Sequence, residues 1–171
     1  GGLSRLDIRT DTFMNFTTAT SDTSAISSNE ILSLHFSRDS ILWIGTGYGL
    51  NRLVRHGDGY GFRGYTTETG LHNNTIHCIE ETSDGKLWLS TNHGLSIFDP
   101  QTELFTNYYN NDKLQDNEYS DGAGYTDVNG IIYFGGINGF NWFNPDEIKA
   151  RDFSPEVLIS RVALIQDPDN D

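Results

Sequence analysis

A single cysteine, Cys78, stands among the 171 residues. No internal disulfide can form, and thiol usage leaves the compartment open. Basic side chains are scarce: 11 Lys and Arg face 24 Asp and Glu, a formal charge of -13. A field of that sign repels phosphate backbones and anionic lipid, which excludes nucleic acid and membrane surfaces as partners. No apolar run approaches the ~18 residues of a membrane span, and no basic stretch leads into an apolar one at the start. Helical periodicity is missing too, since no segment sustains it over the ~11 residues that identify a helix. What the chain does hold is 18 glycines, 12% aromatic residues and 36% hydrophobic residues, enough for a core.

Those glycines and aromatics recur in register. The phrase "LWIGTGYGLNRL" (42–53) returns as "LWLSTNHGLSIF" (87–98) and again as "IYFGGINGFNWF" (132–143). Trp43, Trp88 and Tyr133 are 45 apart, as are Gly49, Gly94 and Gly139. Turn signals before each phrase, Asp39-Ser40, Asp84-Gly85 and Asn129-Gly130, keep the same step. The opening "GGLSRL" matches the back half of the phrase, so the chain is expected to start inside a repeat and to be a piece of a longer protein.

Each period divides into four short β segments. The first is "ILSLHF" or "IHCIEE", the second carries the Trp, and the third begins at the glycine. The fourth carries aromatics three apart: Phe13 and Phe16, Phe62 and Tyr65, Phe105 and Tyr108. Four antiparallel strands in ~45 residues, repeated, identify a β-propeller blade. The fold class expected is therefore all-β, a partial propeller of about three four-stranded blades. It comprises strands three and four of one blade, two whole blades, and strands one to three of another. The invariant-step glycine suits a turn that needs positive φ. The Trp and fourth-strand aromatics are expected to fill the space between blades. Two raw edges should favour self-association, or contact with further blades of a parent chain.

The third repeat differs, reading "NEYSDGAGYTDVNGIIYFGGINGFNWFNPDEI" with two extra residues before its Asn129-Gly130 turn. The "LW(I/L)(G/S)T..GL" phrases resemble the regulator-propeller repeats of two-component sensors, especially the hybrid sensor kinases of Bacteroidetes. The terminal variant followed by "SPEVLISRVAL" resembles the last such repeat running into an immunoglobulin-like Y_Y_Y domain. This implies blades over 1–144, a linker with a short helical turn over 145–154, and the start of the Ig-like domain over 155–171. It further implies a periplasmic, non-catalytic sensor region that recognises oligosaccharide and signals to polysaccharide-utilisation genes. Independently, Asn144-Pro145-Asp146-Glu147 offers an N-cap, a Pro at the first helical position and a following Glu, predicting one turn near 145–150. Helix is expected nowhere else.

Catalytic and metal motifs do not emerge. "GYGFRG" (59–64) satisfies G-x-G-x-x-G but is placed in the turn before a fourth strand, with no helix after it. "DPDND" (167–171) opens like a calcium loop but has neither the Gly nor the closing Glu, and reads as a solvated acidic linker. His35, His56, His72, His77 and His93 lack zinc spacing, and no cofactor is expected. What remains is a binding face. The turns between strands two and three share a face with the inter-blade loops 67–75 and 110–122. Tyr48, His72, Asn73, Asn92, His93 and Asn138 are the candidate ligand residues, because amides, imidazoles and rings suit sugar hydroxyls and pyranose faces. A propeller lyase or hydrolase, and a propeller scaffold for dimer contacts, are the alternatives.

Overall fold

The computed structural model describes residues 1–148 apart from 20, 21, 23 and 58. The Ig-like strand expected from Pro155, the end of the linker and the acidic stretch 167–171 lie outside the described residues.

Among the described residues thirteen strands form four antiparallel sheets. The first sheet pairs β1 (Leu3–Asp7) with β2 (Thr12–Phe16). The second runs β3 (Ile31–Phe36), β4 (Leu42–Thr46), β5 (Gly49–His56) and β6 (Gly59–Tyr65) in chain order. The third runs β7 (Ile76–Glu81), β8 (Leu87–Thr91), β9 (Gly94–Asp99) and β10 (Leu104–Tyr108) in the same manner. The fourth has β11 (Tyr119–Thr126), β12 (Ile132–Gly136) and β13 (Gly139–Phe143). Two strands, four, four and three is the division that the 45-residue step predicts. The first strands β3, β7 and β11 pack on one another, so they are the inner strands.

Local chemistry sets the turns. Gly49, Gly94 and Gly139 open the third strands at φ of 106°, 90° and 118°, values that L side chains resist. Asn144 caps a 3-10 turn over Pro145–Glu147, its side chain accepting from the Asp146 N–H at 3.1 Å. Two further 3-10 turns, Thr67–Thr69 and Asn110–Asp112, were not expected. Both lie in inter-blade loops, where three residues are too few for periodicity; at the first, Thr66 and Thr69 form a reciprocal capping box. "GYGFRG" also sits differently from expectation. It is the strand β6 itself, with Gly59 opposite His56 and Gly64 opposite Asn51, so its backbone is committed to a ladder.

Three cores lie between successive sheets. Ile26, Ile44 and Phe62 join the first and second sheets, with Leu3 and Phe16 packed against them. Trp43, Tyr65, Ile76, Leu89 and Phe98 join the second and third. Cys78, Trp88, Tyr119, Ile132 and Phe134 join the third and fourth. Trp43 meets Phe98 edge-on at 5.5 Å, and Trp88 lies 4.5 Å from Phe143. Two aromatics expected between blades depart from the pattern. Phe13 is 67% exposed, and Tyr133 is half-buried. Tyr133 stands in a cross-strand row with Tyr125 and Trp142, on the side of the fourth sheet away from the third. Among the described residues no further blade covers that row.

Candidate functional site

Polar brackets, repeated blade by blade, build one face of the molecule. The Gly2, Gly49 and Gly94 N–H groups donate to the carbonyls of Asn29, Asn74 and Asn117, at 2.8, 2.6 and 2.7 Å. Each ties the turn between strands two and three of one blade to the loop that leads into the next. Buried Thr46 and Thr91 brace those turns: each hydroxyl donates to the Gly49 or Gly94 carbonyl and accepts from the N–H of Tyr48 or His93. In the fourth sheet Gly136 replaces the threonine. The Gln115 side chain occupies the freed space, and its Oε1 accepts from the Asn138 N–H at 2.8 Å.

A second polar series runs along the third strands at Asn51, Ser96 and Asn141, again 45 apart. Fully buried Asn51 accepts from the Ser27 N–H at 3.0 Å and donates to its hydroxyl at 2.7 Å. Ser96 donates to Asn107, whose amide donates to the Gly70 carbonyl. Asn141 accepts from the Gln115 N–H and the Tyr119 hydroxyl, both at 2.8 Å. These side chains hold the loops over the sheets. Sequence reasoning passed them by, although the step was visible.

Bulges aim the inner side chains. In β7, Ile76 faces Thr91 and Cys78 faces Ser90, which leaves His77 as the extra residue. From Tyr119 to Gly124 β11 advances five positions while β12 retreats two, Gly136 to Phe134. The two residues by which this repeat is longer therefore sit in a larger bulge, and that bulge carries Asp121. His77 Nδ1 lies 2.5 Å from Asp121 Oδ1 and its Nε2 lies 2.7 Å from Asn92 Oδ1. Both ring nitrogens are thus engaged, Nδ1 by a carboxylate and Nε2 by an amide oxygen rather than by a hydroxyl or thiol nucleophile.

The predicted residues fall into separate groups. His72 and His93 come together, with ring centroids 4.7 Å apart, and Tyr109 joins them. The Tyr109 ring stands edge-on to His72 at 4.3 Å, with its hydroxyl 3.2 Å from His72 Nδ1. Burial, and then the neighbouring His93, hold the His72 pKa below its ordinary value. Asn92 contacts His77 instead, Asn73 accepts from the Thr75 N–H in a local turn, and Asn138 donates to Asp116. Tyr48 is 53% exposed at the tip of its turn. Tyr109, His77 and Asp121 are the residues that sequence reasoning missed. Tyr109 is 37 positions from its His72 partner and carries no motif.

Clefts lie elsewhere among the described residues. One of about 420 Å³ is lined by Trp88, Ile97, Tyr108, Pro145 and Ile148. Another of about 360 Å³ lies between Arg38, Glu81, Asn129 and Asp146. None of the six predicted ligand residues lines either. Among the described residues no group of three or more His, Cys, Asp or Glu side chains converges as a metal site, and no helix is long and apolar enough to cross a membrane.

Comparison with known proteins fits these blades. Residues 70–93 match the family described as "Two component regulator propeller". Histidine kinase P4 of Formosa agariphila is 34% identical over 107 residues, covering 59% of this chain and 8% of the kinase. The crystallised extracellular domain of a hybrid two component system from B. thetaiotaomicron is 28% identical, with a TM-score of 0.66 over 81% of this chain and 21% of that one. A second extracellular domain from B. thetaiotaomicron, of a one component system, is 16% identical with a TM-score of 0.50, over 84% of this chain and 26% of its own. That second likeness speaks to the fold alone. The family match is confined to residues 70–93, and the chain spans a small part of each relative's length.

Proposed function

We propose that these blades are part of the extracytoplasmic sensor of a hybrid two-component histidine kinase, that they bind oligosaccharide without catalysis, and that the bound state is relayed to expression of polysaccharide-utilisation genes. The observation that carries the reading is the convergence of His72, His93 and Tyr109 from an inter-blade loop, a turn between strands and a second inter-blade loop. Imidazoles and a phenol give two-way hydrogen bonding together with ring faces, the combination that sugar hydroxyls and CH surfaces require. His93 is exposed at its turn, so the cluster is open to a ligand. Against an enzyme stands His77, which pairs with a carboxylate on this face but whose second nitrogen meets the Asn92 amide rather than a nucleophile. A periplasmic location accords with the extracellular origin of the 28% identical solved relative. The test is calorimetric titration with oligosaccharide ladders from polysaccharide digests, repeated with His93→Ala. A saturable heat that falls at least about tenfold in affinity in the variant supports the site. Turnover of a ladder into shorter or unsaturated products would replace the sensor reading with an enzymatic one.

A further inference from the structure

We infer that the glycan taken by the His72, His93 and Tyr109 cluster is uncharged, not uronic or sulfated. The inference rests on the sugar reading above and narrows it. The loops and turns of this face carry carboxylates almost without cations. Loop 17–30 ends in Glu30, loop 66–75 carries Glu68, and loop 109–118 carries Asp112, Asp116 and Glu118. Lys113 is the one Lys or Arg in these loops and in the turns 47–48, 92–93 and 137–138.

The carboxylates stand beside the binding groups. Glu30 lies against Gly47 in the Tyr48 turn, Asp116 accepts from Asn138, and Asp112 accepts from the Tyr109 N–H at 2.8 Å. Glu68 is exposed in the same loop as His72, and Asp121 is exposed beside His77. Within the cluster, desolvation and its neighbour hold the His72 imidazole toward its neutral form, so His72 does little to offset them. An anionic ring placed there meets like charge, with no Arg fork and only the exposed Lys113 of these loops to set against it. A neutral pyranose meets amides, imidazoles and a phenol, all of which accept or share hydroxyl protons.

The experiment compares two ligand classes on the full chain. Neutral glucan and mannan hexasaccharides are titrated against oligogalacturonate and heparin-derived hexasaccharides at about 0.15 M salt, where screening is incomplete. A neutral ladder should bind at least about tenfold tighter than either anionic one, and the gap should narrow near 1 M salt. The double variant Glu30→Gln, Glu68→Gln removes two exposed charges whose carboxylates have no hydrogen-bond partner among the described residues. It should leave neutral binding unchanged and strengthen anionic binding; an unchanged ratio overturns the charge argument. Anionic ladders that bind as tightly as neutral ones overturn the inference and leave the sugar reading standing. Failure of both classes to bind removes the sugar reading itself. Neutral binding that survives His93→Ala unaltered would move the ligand off this cluster and overturn the assignment.

Discussion

Trp43, Trp88 and Tyr133 occupy the same position in three successive blades, yet truncating them should have unequal costs. The Trp43 ring is 1% exposed, edge-on to Phe98, with the Arg52 guanidinium 5.9 Å from its centroid. Trp88 is 3% exposed and lies between Tyr108 and Phe143. A buried indole removes roughly 200 Å² from water, which at about 25 cal/mol per Å² is on the order of 5 kcal/mol. Partial collapse of the hole brings the expected loss for Trp43→Ala or Trp88→Ala to about 3–5 kcal/mol. Tyr133 is half-buried and touches Tyr125 at 6.3 Å on the uncovered side of the fourth sheet, so Tyr133→Ala should lose only about 1 kcal/mol. Urea titration of the three variants on one chain, followed by tryptophan fluorescence and circular dichroism, measures the series. A loss below about 1 kcal/mol for either Trp would mean that the indole does not fill an inter-blade core. Equal losses at Trp43 and Tyr133 would mean that the far side of the fourth sheet is covered.

Gly136→Ala should destabilise by about 1–3 kcal/mol, because a methyl there overlaps the Gln115 amide and the Glu118 carbonyl; a neutral melt would show that this loop yields. Burial pushes the Cys78 thiol up to about 12, against an ordinary 9.0. The folded state then keeps a proton that the unfolded state sheds, so stability is flat below about pH 9 and falls as pH rises toward 12. Urea midpoints at stepped pH should show Cys78→Ala losing less over that window than the parent; parallel curves would contradict the burial. The exposed row Tyr125, Trp142 and Phe140 on one side, with Leu34 and Phe36 on the second sheet, should drive the isolated chain to associate. Light scattering after size exclusion tests this, and a monodisperse 19.2 kDa species with a cooperative melt would refute it.

Strand division was legible because the 45-residue step repeats the side chains that sheets bury, and Trp43 and Trp88 report it directly. Gly49, Gly94 and Gly139 were legible for a related reason, since a positive φ leaves a residue-type signature. The inter-blade brackets were not, because a backbone donor such as Gly49 N–H and a carbonyl such as that of Asn74 leave no trace in composition. Phe13 misled because its spacing from Phe16 is that of a core pair, while its burial depends on what lies beyond the first sheet. At the candidate site His72 and His93 could be placed on one face by loop order. Their pairing with Tyr109 could not, since it depends on how the 3-10 turn at Asn110–Asp112 carries the chain past the blade. Asp121 became a partner for His77 through a bulge whose length the sequence showed but whose direction it did not.

The brackets from Gly2, Gly49 and Gly94 to the following loop also decide where such a chain tolerates length change. An insertion in the turn of residues 47–48 or 92–93 would break a threonine brace and unfasten the neighbouring blade at once. The end of β5 is different: a side chain added at Gly57 would meet nothing within 4 Å, and the Gly57 carbonyl accepts from Arg55 of its own blade. Drift in repeat length should therefore accumulate at the opposite rim, and a reporter peptide or fluorophore is best inserted there, leaving the bracketed rim free to present its imidazoles.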